Sequence, residues 1–321
     1  MTYKTQNNKT KNIWGLQIMS RVASWNNMGV DVNGLSKVED VLQKSGLDYD
    51  VIKRPLKYRE AGTWYTVPDK SVNVRKDNPA KVFGVVGSKY EICQNRDAFD
   101  FVNCINGDVK FVKAGETKSG IVYLISELPE IEVLGDKIRP NLIFQNAHNG
   151  LSSIRANICM LRMICQNQFA HAFKNASNAI SIKHTNRSMF EKLENAKEVL
   201  ANTYDYIANY KDNAERLAVK KVDDKVLQNI ISEMILNGNP MSSIESGSKD
   251  DDKVTRFINA YNNEDNMNFR GTAWGIINAW TDYSTHMIPE RQSKNFEESR
   301  FINNTFNNKS LDKVVRMVEA A

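Results

Sequence analysis

The sequence predicts an α+β fold: an antiparallel-rich sheet packed by a long helix, followed by a mostly helical carboxy-terminal half. Two observations carry this. Period-two alternation runs through residues 49–147 with a single helical interruption, and apolar steps of three and four take over after residue 150. Strands and helices are therefore segregated along the chain, which argues against a doubly wound parallel sheet.

Residues 1–35 hold many Asn, Gly and Ser without a period and read as an arm. A helix follows, with Ser36 as cap and Val38, Val41 and Leu42 as its apolar face, ending at Gly46. YDVIKRPLKYR, TWYTVPDKSVNVRKD and AKVFGVVGSKYEICQ alternate as strands, joined at Ala61-Gly62-Thr63 and at KDNP. RDAFDFVNCING is a short helix ended by Gly107. VKFVKAGETKSGIVYLISEL is a hairpin whose loop holds Gly115 and Gly120, and EIEVLGDKIRPNLIFQNA is another turning at LGDK.

Ile154, Ile158, Leu161, Cys165, Phe169 and Ala172 then recur at helical spacing, so a helix over 152–174, capped by Ser152 or Ser153, is expected to lie across the sheet. Amphipathic helices are expected over 188–217, 223–236 and 271–287 and in SLDKVVRMVEAA. This divides the chain into an arm at 1–35, a basic α+β core domain at 36–187 and a helical region at 188–321 with a linker at 237–252.

Composition is that of a soluble globular protein: 41% of residues are hydrophobic and 25% charged, with no apolar run long enough for a membrane span. The amino terminus lacks a secretory signal, so a cytoplasmic location, that of a bacterial host, is expected. Four cysteines without a CxxC pair exclude a disulfide scaffold and give no zinc pattern. No metal and no cofactor is expected.

Net charge is +5, but its distribution is uneven. From 137 to 190 there is no acidic residue, while Lys137, Arg139, Arg155, Arg162, Lys174, Lys183 and Arg187 fall there. Lys53, Arg54, Lys57, Arg59, Arg75, Lys76, Lys81 and Lys89 form a second cluster, opposed by Glu60, Asp69 and Asp77. Acids outnumber bases from 201 to 300, so positive potential is concentrated in the first 190 residues, as a polyanion site requires.

Catalytic patterns are missing: there is no GxxxxGK[ST], no GxGxxG and no HExxH among His148, His171, His184 and His286. Cys165 lies on the apolar stripe, where cysteine packs as a small hydrophobe. The chain is expected not to be an enzyme. On the expected helix Arg155 and Arg162 nearly eclipse, with Gln166 one turn on. That polar edge either pairs with carboxylates of the helical half or binds phosphates bidentately. Lys53, Arg54 and Lys57 with Tyr58, Trp64 and Tyr65, and Lys89 with Tyr90, interleave cations with rings, as single-strand binding surfaces do.

WNNMGVDV, VFGVVGSKYEICQNRDAF, NAHNGLSSIRANICMLRMICQNQF and GTAWGIINAWTDYSTH together resemble the signature segments of a phage- and plasmid-encoded family known only as a domain of unknown function (domain of unknown function 932). The resemblance spans most of the chain. It departs at His148-Asn149-Gly150, where the family pattern has an acid before the glycine, and at RMICQN, where valines are commoner. It implies an accessory protein of a mobile element, near recombination or replication functions. In general plan it is similar to single-strand annealing proteins that assemble on DNA.

The expected function is therefore non-enzymatic binding or annealing of single-stranded DNA by a self-assembling protein. Lys53, Arg54, Lys57, Lys81, Lys89, Arg139, Arg155, Arg162, Lys174 and Arg187 would meet phosphate, with Gln166 and Asn167 as hydrogen-bonding partners. The alternative is an interaction module that binds and blocks a host defence or replication protein, anchored by Trp274, Trp280 and Tyr283.

Overall fold

The structure is a computed structural model of the chain. It describes residues 28–100, 110–162, 167–169, 179–185, 189, 191–193, 203–288, 296–306 and 308–321. Strand β1 (Val30–Asp31) and helix α1 (Val38–Ser45) lead into β2 (Val51–Glu60), β3 (Thr63–Arg75) and β4 (Val82–Gly87). After α2 (Asn95–Phe99) come β5 (Lys110–Glu116), β6 (Ile121–Glu127), β7 (Ile131–Val133), β8 (Asp136–Ala147), β9 (Ile154–Arg162), β10 (Asn167–Phe169) and β11 (Ala179–Ile182). Helices α3 (Thr203–Val219), α4 (Asp224–Met234), α5 (Lys249–Tyr261), α6 (Ala273–Asp282), α7 (Phe296–Phe306) and α8 (Lys309–Ala320) complete the described chain.

The α+β class and the helical carboxy-terminal half are as expected. Two antiparallel sheets form: a large one in the order β1-β5-β6-β8-β9-β10, with β11 also on β9 and β7 on β8, and a small one in the order β2-β3-β4. Local chemistry explains the boundaries. Gly46 closes α1 in the left-handed region at φ 70°, a conformation that costs a Cβ-bearing residue more. The cap position is Lys37 rather than Ser36, and it makes no side-chain cap bond. Asp223 caps α4 by accepting from Val226 N, and Ser248 caps α5 by accepting from Asp251 N. The acids Asp250, Asp251 and Asp252 fall in the first turn of α5, where carboxylates offset the exposed amides. Gly115 lies within β5 opposite Tyr123, so of the two expected loop glycines Gly120 alone, at φ 78°, makes the turn.

The largest departure is at 152–174. No helix forms over its described residues: Ile154–Arg162 is strand β9, paired with β8 from Ile138↔Arg162 to Gln145↔Arg155 without a register break, and Asn167–Phe169 is β10. The remainder of the predicted helix lies outside the described residues. The physical reason is that β9 is covered on both faces. Ile154, Ala156, Ile158 and Met160 enter the main core, while Asn157 and Cys159 are buried on the opposite side. With both faces covered, alternation of apolar and polar residues disappears, and the four-residue step from Ile154 to Ile158 is compatible with either period.

One large apolar cluster runs from Val32 in the sheet region to Val318 in α8, so sheet and helices share a core. Helix α6 is buried along its whole length and packs against α3, α5 and α8. Gly275 in α6 is dictated by a close approach: a Cβ there would stand 2.0 Å from Phe269 O. Among the described residues no helix is long and apolar enough to cross a membrane.

Candidate nucleic-acid interface

Beyond the body of the small sheet, β2 and β3 continue as a two-stranded ribbon. The turn pairs Glu60 with Thr63 through Ala61 and Gly62, both at positive φ (46° and 88°), the two-residue geometry that suits the twist of a hairpin. Alternation puts Tyr58 and Tyr65, directly opposite each other, on one face, where their rings stack at 5.4 Å. Lys57, Arg59, Trp64 and Thr66 take the other face. Trp64 is 63% exposed, and Tyr58 and Tyr65 are 49% and 45% exposed. Rings this open do not pack the sheet. Arg54, Lys57, Arg59 and Lys70 are exposed as well, and Arg59 Nε donates to Gly62 O at 3.3 Å.

The ribbon is held firmly at its base. The Gln94 side chain mimics a neighbouring strand, accepting from Val51 N at 2.9 Å and donating to Val51 O at 3.0 Å. Lys53 Nζ donates to Tyr90 O and lies over the Tyr90 ring. The Arg75 guanidinium sits 4.4 Å over the Tyr49 ring and bonds Asp77, which raises its own already high pKa and lowers that of the carboxyl.

Where the small sheet meets the large one, a buried polar network surrounds His148. Asn95 Nδ2 donates to Leu47 O, so Asn95 Oδ1 faces inward and accepts from both His148 Nε2 (2.9 Å) and Asn146 Nδ2 (3.0 Å). The Nε2 proton is thus assigned, and Nδ1 is left buried without a partner. Asn73 Nδ2 donates to His148 O, fastening β3 to the end of β8. His184 stacks on Tyr90 at 4.9 Å and bonds Glu91 O through Nδ1. Burial pushes His148 down to about 3, helped by the neighbouring His184, and pushes His184 down to about 4. Both rings are neutral struts. Tyr49 donates to Glu116 Oε2 at 3.0 Å beside this network, and Glu116 also pairs with Lys81 at 2.7 Å. Among the described residues no group of three or more His, Cys, Asp and Glu is placed to hold a metal.

The structure separates the expected site residues. Arg54 and Lys57 are on the ribbon, and Lys89 is exposed near its base. Lys53 is held at the base of the ribbon by Tyr90 O and keeps its charge there, whereas Lys81 is neutralised by Glu116. Arg139 is held by Glu127 at 3.0 Å and Glu130 at 2.5 Å, which raises its pKa through hydrogen bonds and charge; it is spoken for by the protein's own carboxylates.

Arg155 and Arg162 do not form one edge. Both lie on the continuous strand β9, Arg155 opposite Gln145 and Arg162 opposite Ile138, instead of one above the other on a helix. Asn167 lies in β10, paired with Arg162. Gln166, Lys174 and Arg187 lie outside the described residues. The alternative anchors are not surface residues either: Trp274 is fully buried, and Trp280 and Tyr283 are 5% and 7% exposed, because α6 runs through the core. Sequence reasoning places Arg59 and Trp64 in the basic and aromatic clusters without assigning them to the site, and it misses Lys70. The alternation at Lys57, Arg59 and Trp64 is the signal that could have found them.

The family model described as Domain of unknown function (DUF932) matches residues 82–305, more than two thirds of the chain, and the chain belongs to that family. The match runs from β4 into α7 and leaves β2 and β3 outside. No curated protein and no solved structure matches the chain.

Proposed function

We propose that this member of the DUF932 family binds single-stranded DNA, with the β2–β3 ribbon as its contact surface. The observation that carries the reading is the exposed face bearing Lys57, Arg59 and Trp64, a flat ring between two cations at the tip of a rigidly rooted ribbon. A ring this open stacks on an unpaired base, which a duplex keeps inside its own stack, while Lys57 and Arg59 neutralise the adjoining phosphates. Between Lys53 and Lys70 five cations face two carboxylates, Glu60 and Asp69, and Arg75 beyond them is paired with Asp77, so the ribbon is net positive.

The role fits a phage or plasmid accessory protein acting without catalysis in recombination or replication, in the cytoplasm of a bacterial host and as a self-assembling chain. Fluorescence anisotropy with a labelled oligothymidylate tests it. Replacing Trp64 by Ala weakens binding by about tenfold, the loss of one base–aromatic stack. An unchanged affinity sinks the reading.

One observation favours a second reading, capture of a host protein: the exposed Tyr58–Tyr65 pair on the opposite ribbon face is an aromatic anchor of the kind interfaces use. Under it, Tyr58→Ala abolishes a host complex and leaves oligonucleotide binding intact.

A further inference from the structure

The large sheet covers its two faces very differently. Leu142 and Phe144 of β8 and Ala156, Ile158 and Met160 of β9 enter the main core. The opposite face carries Asn141, Ile143 and Gln145 from β8 and Arg155, Asn157 and Cys159 from β9, with Tyr123 from β6 beside them. A small apolar cluster forms there from Tyr123, Ile143, Cys159 and Phe301, the last contributed by α7, which packs on β9 and β10. Among the described residues the polar attachments of α7 to the sheet side are Lys118 N donating to Glu298 Oε1 at 2.6 Å and Asn157 Nδ2 donating to Thr305 O, while Arg300 ties the helix to the chain after α6 by donating to Ser284 O and Thr285 O.

Asn141, Gln145 and Asn157 are 4%, 1% and 3% exposed, yet Asn141 Oδ1, Gln145 Oε1 and Asn157 Oδ1 accept no hydrogen bond. Glu298 Oε2, on α7 itself, is equally without a donor. Acceptors buried in this way oppose closure, since each regains a partner once the face is wet. A helix seated on so small an apolar cluster opens at a free energy well below that of global unfolding.

We propose that α7 is a displaceable strap over a polar face of the large sheet, and that with α7 lifted this face takes up single-stranded nucleic acid through the amides of Asn141, Gln145 and Asn157 together with Arg155. As to ligand, the inference rests on the nucleic-acid reading above. Side-chain amides pair with base edges, a guanidinium pairs with phosphate, and an open sheet face accommodates an extended strand. The face and the strap both lie within the family-matched span, whereas the ribbon does not.

Native cysteines supply the test. Cys159 is buried beneath Phe301, while Cys93 is buried in the main core. Peptide-resolved alkylation of the native full chain with iodoacetamide, without nucleic acid, labels Cys159 at least about tenfold faster than Cys93 if α7 lifts locally. Equal rates overturn the strap. Phe301→Ala then speeds Cys159 labelling and tightens oligothymidylate binding several-fold, because a larger open fraction raises the apparent affinity. Faster labelling without tighter binding overturns the gating. Should Phe301→Ala fail to fold, Glu298→Ala, which removes the bond to Lys118 N, serves in the same way. If neither the parent chain nor these variants bind the oligonucleotide, the nucleic-acid assignment fails at both surfaces, and Cys159 labelling still decides whether the strap opens. A null result for Trp64→Ala alone bears on the ribbon and not on α7.

Discussion

Ala61 occupies a left-handed conformation at φ 46° in a turn that favours Asn or Gly. The strain is worth about 1 kcal/mol, so Ala61→Gly or Ala61→Asn slows amide hydrogen exchange in the ribbon by about fivefold. At His148 and His184 the folded pKa values lie below the ordinary 6.5 of an unfolded histidine. The unfolded chain therefore binds more protons below pH 6.5. Stability is complete above that pH and falls as pH drops toward about 4 and then 3, the folded values, approaching about 1.4 kcal/mol per pH unit for each ring. Urea denaturation at pH 7.5, 6 and 5 measures this, and His184→Gln reduces the slope. His148 was legible in the sequence as a turn neighbour. Its neutral, fully buried state was not, because Asn95, which anchors it, is 53 residues away.

Short elements bounded by their own chemistry were legible: α1 stops at Gly46, and the hairpins of β2 with β3 and of β7 with β8 turn where Gly marks them. Strand β9 was not, since a strand covered on both faces shows no alternation. Its polar residues also take their meaning from partners distant in sequence, such as Thr305 for Asn157. In α6 the apolar period gave the helix correctly but assigned Trp274 and Trp280 outward, because a helix apolar on nearly all sides does not say which side is wet. Gly275→Ala probes how tightly α6 is packed. The methyl group meets a backbone carbonyl, so unfolding by urea shows a loss of about 3 kcal/mol or more. A loss under about 1 kcal/mol means that the Phe269 segment yields.

Across the molecule, charge counted along the sequence overstated the site. The acid-free run from 137 to 190 is matched in space by carboxylates brought from elsewhere: Glu127 and Glu130 take Arg139, just as Glu116 takes Lys81 in the other basic cluster. The ribbon tip escapes this, since among the described residues no carboxylate pairs with Lys57 or Arg59. Under the proposed function oligothymidylate binding is expected to depend on salt, and Lys57→Ala with Arg59→Ala to lower the slope of log affinity against log salt by about 1.4, roughly 0.7 for each phosphate of a single strand that is no longer neutralised. A titration from 50 to 300 mM salt, on the order of the range where counterion release dominates, checks it. A slope unchanged by the double substitution means that the phosphates are bound elsewhere.

The ribbon tip also differs from the rest of the molecule in what constrains it. Tyr58, Trp64 and Tyr65 stand outside the apolar clusters that hold the sheets and helices together, and the described contact of the two tyrosine rings is with each other. Folding therefore makes almost no demand on which side chains stand there, provided the turn closes and the strands pair. The tip is interchangeable in a way that α6 or β9 can never be: its aromatic and basic residues can be exchanged for others while the body that carries them stays the same.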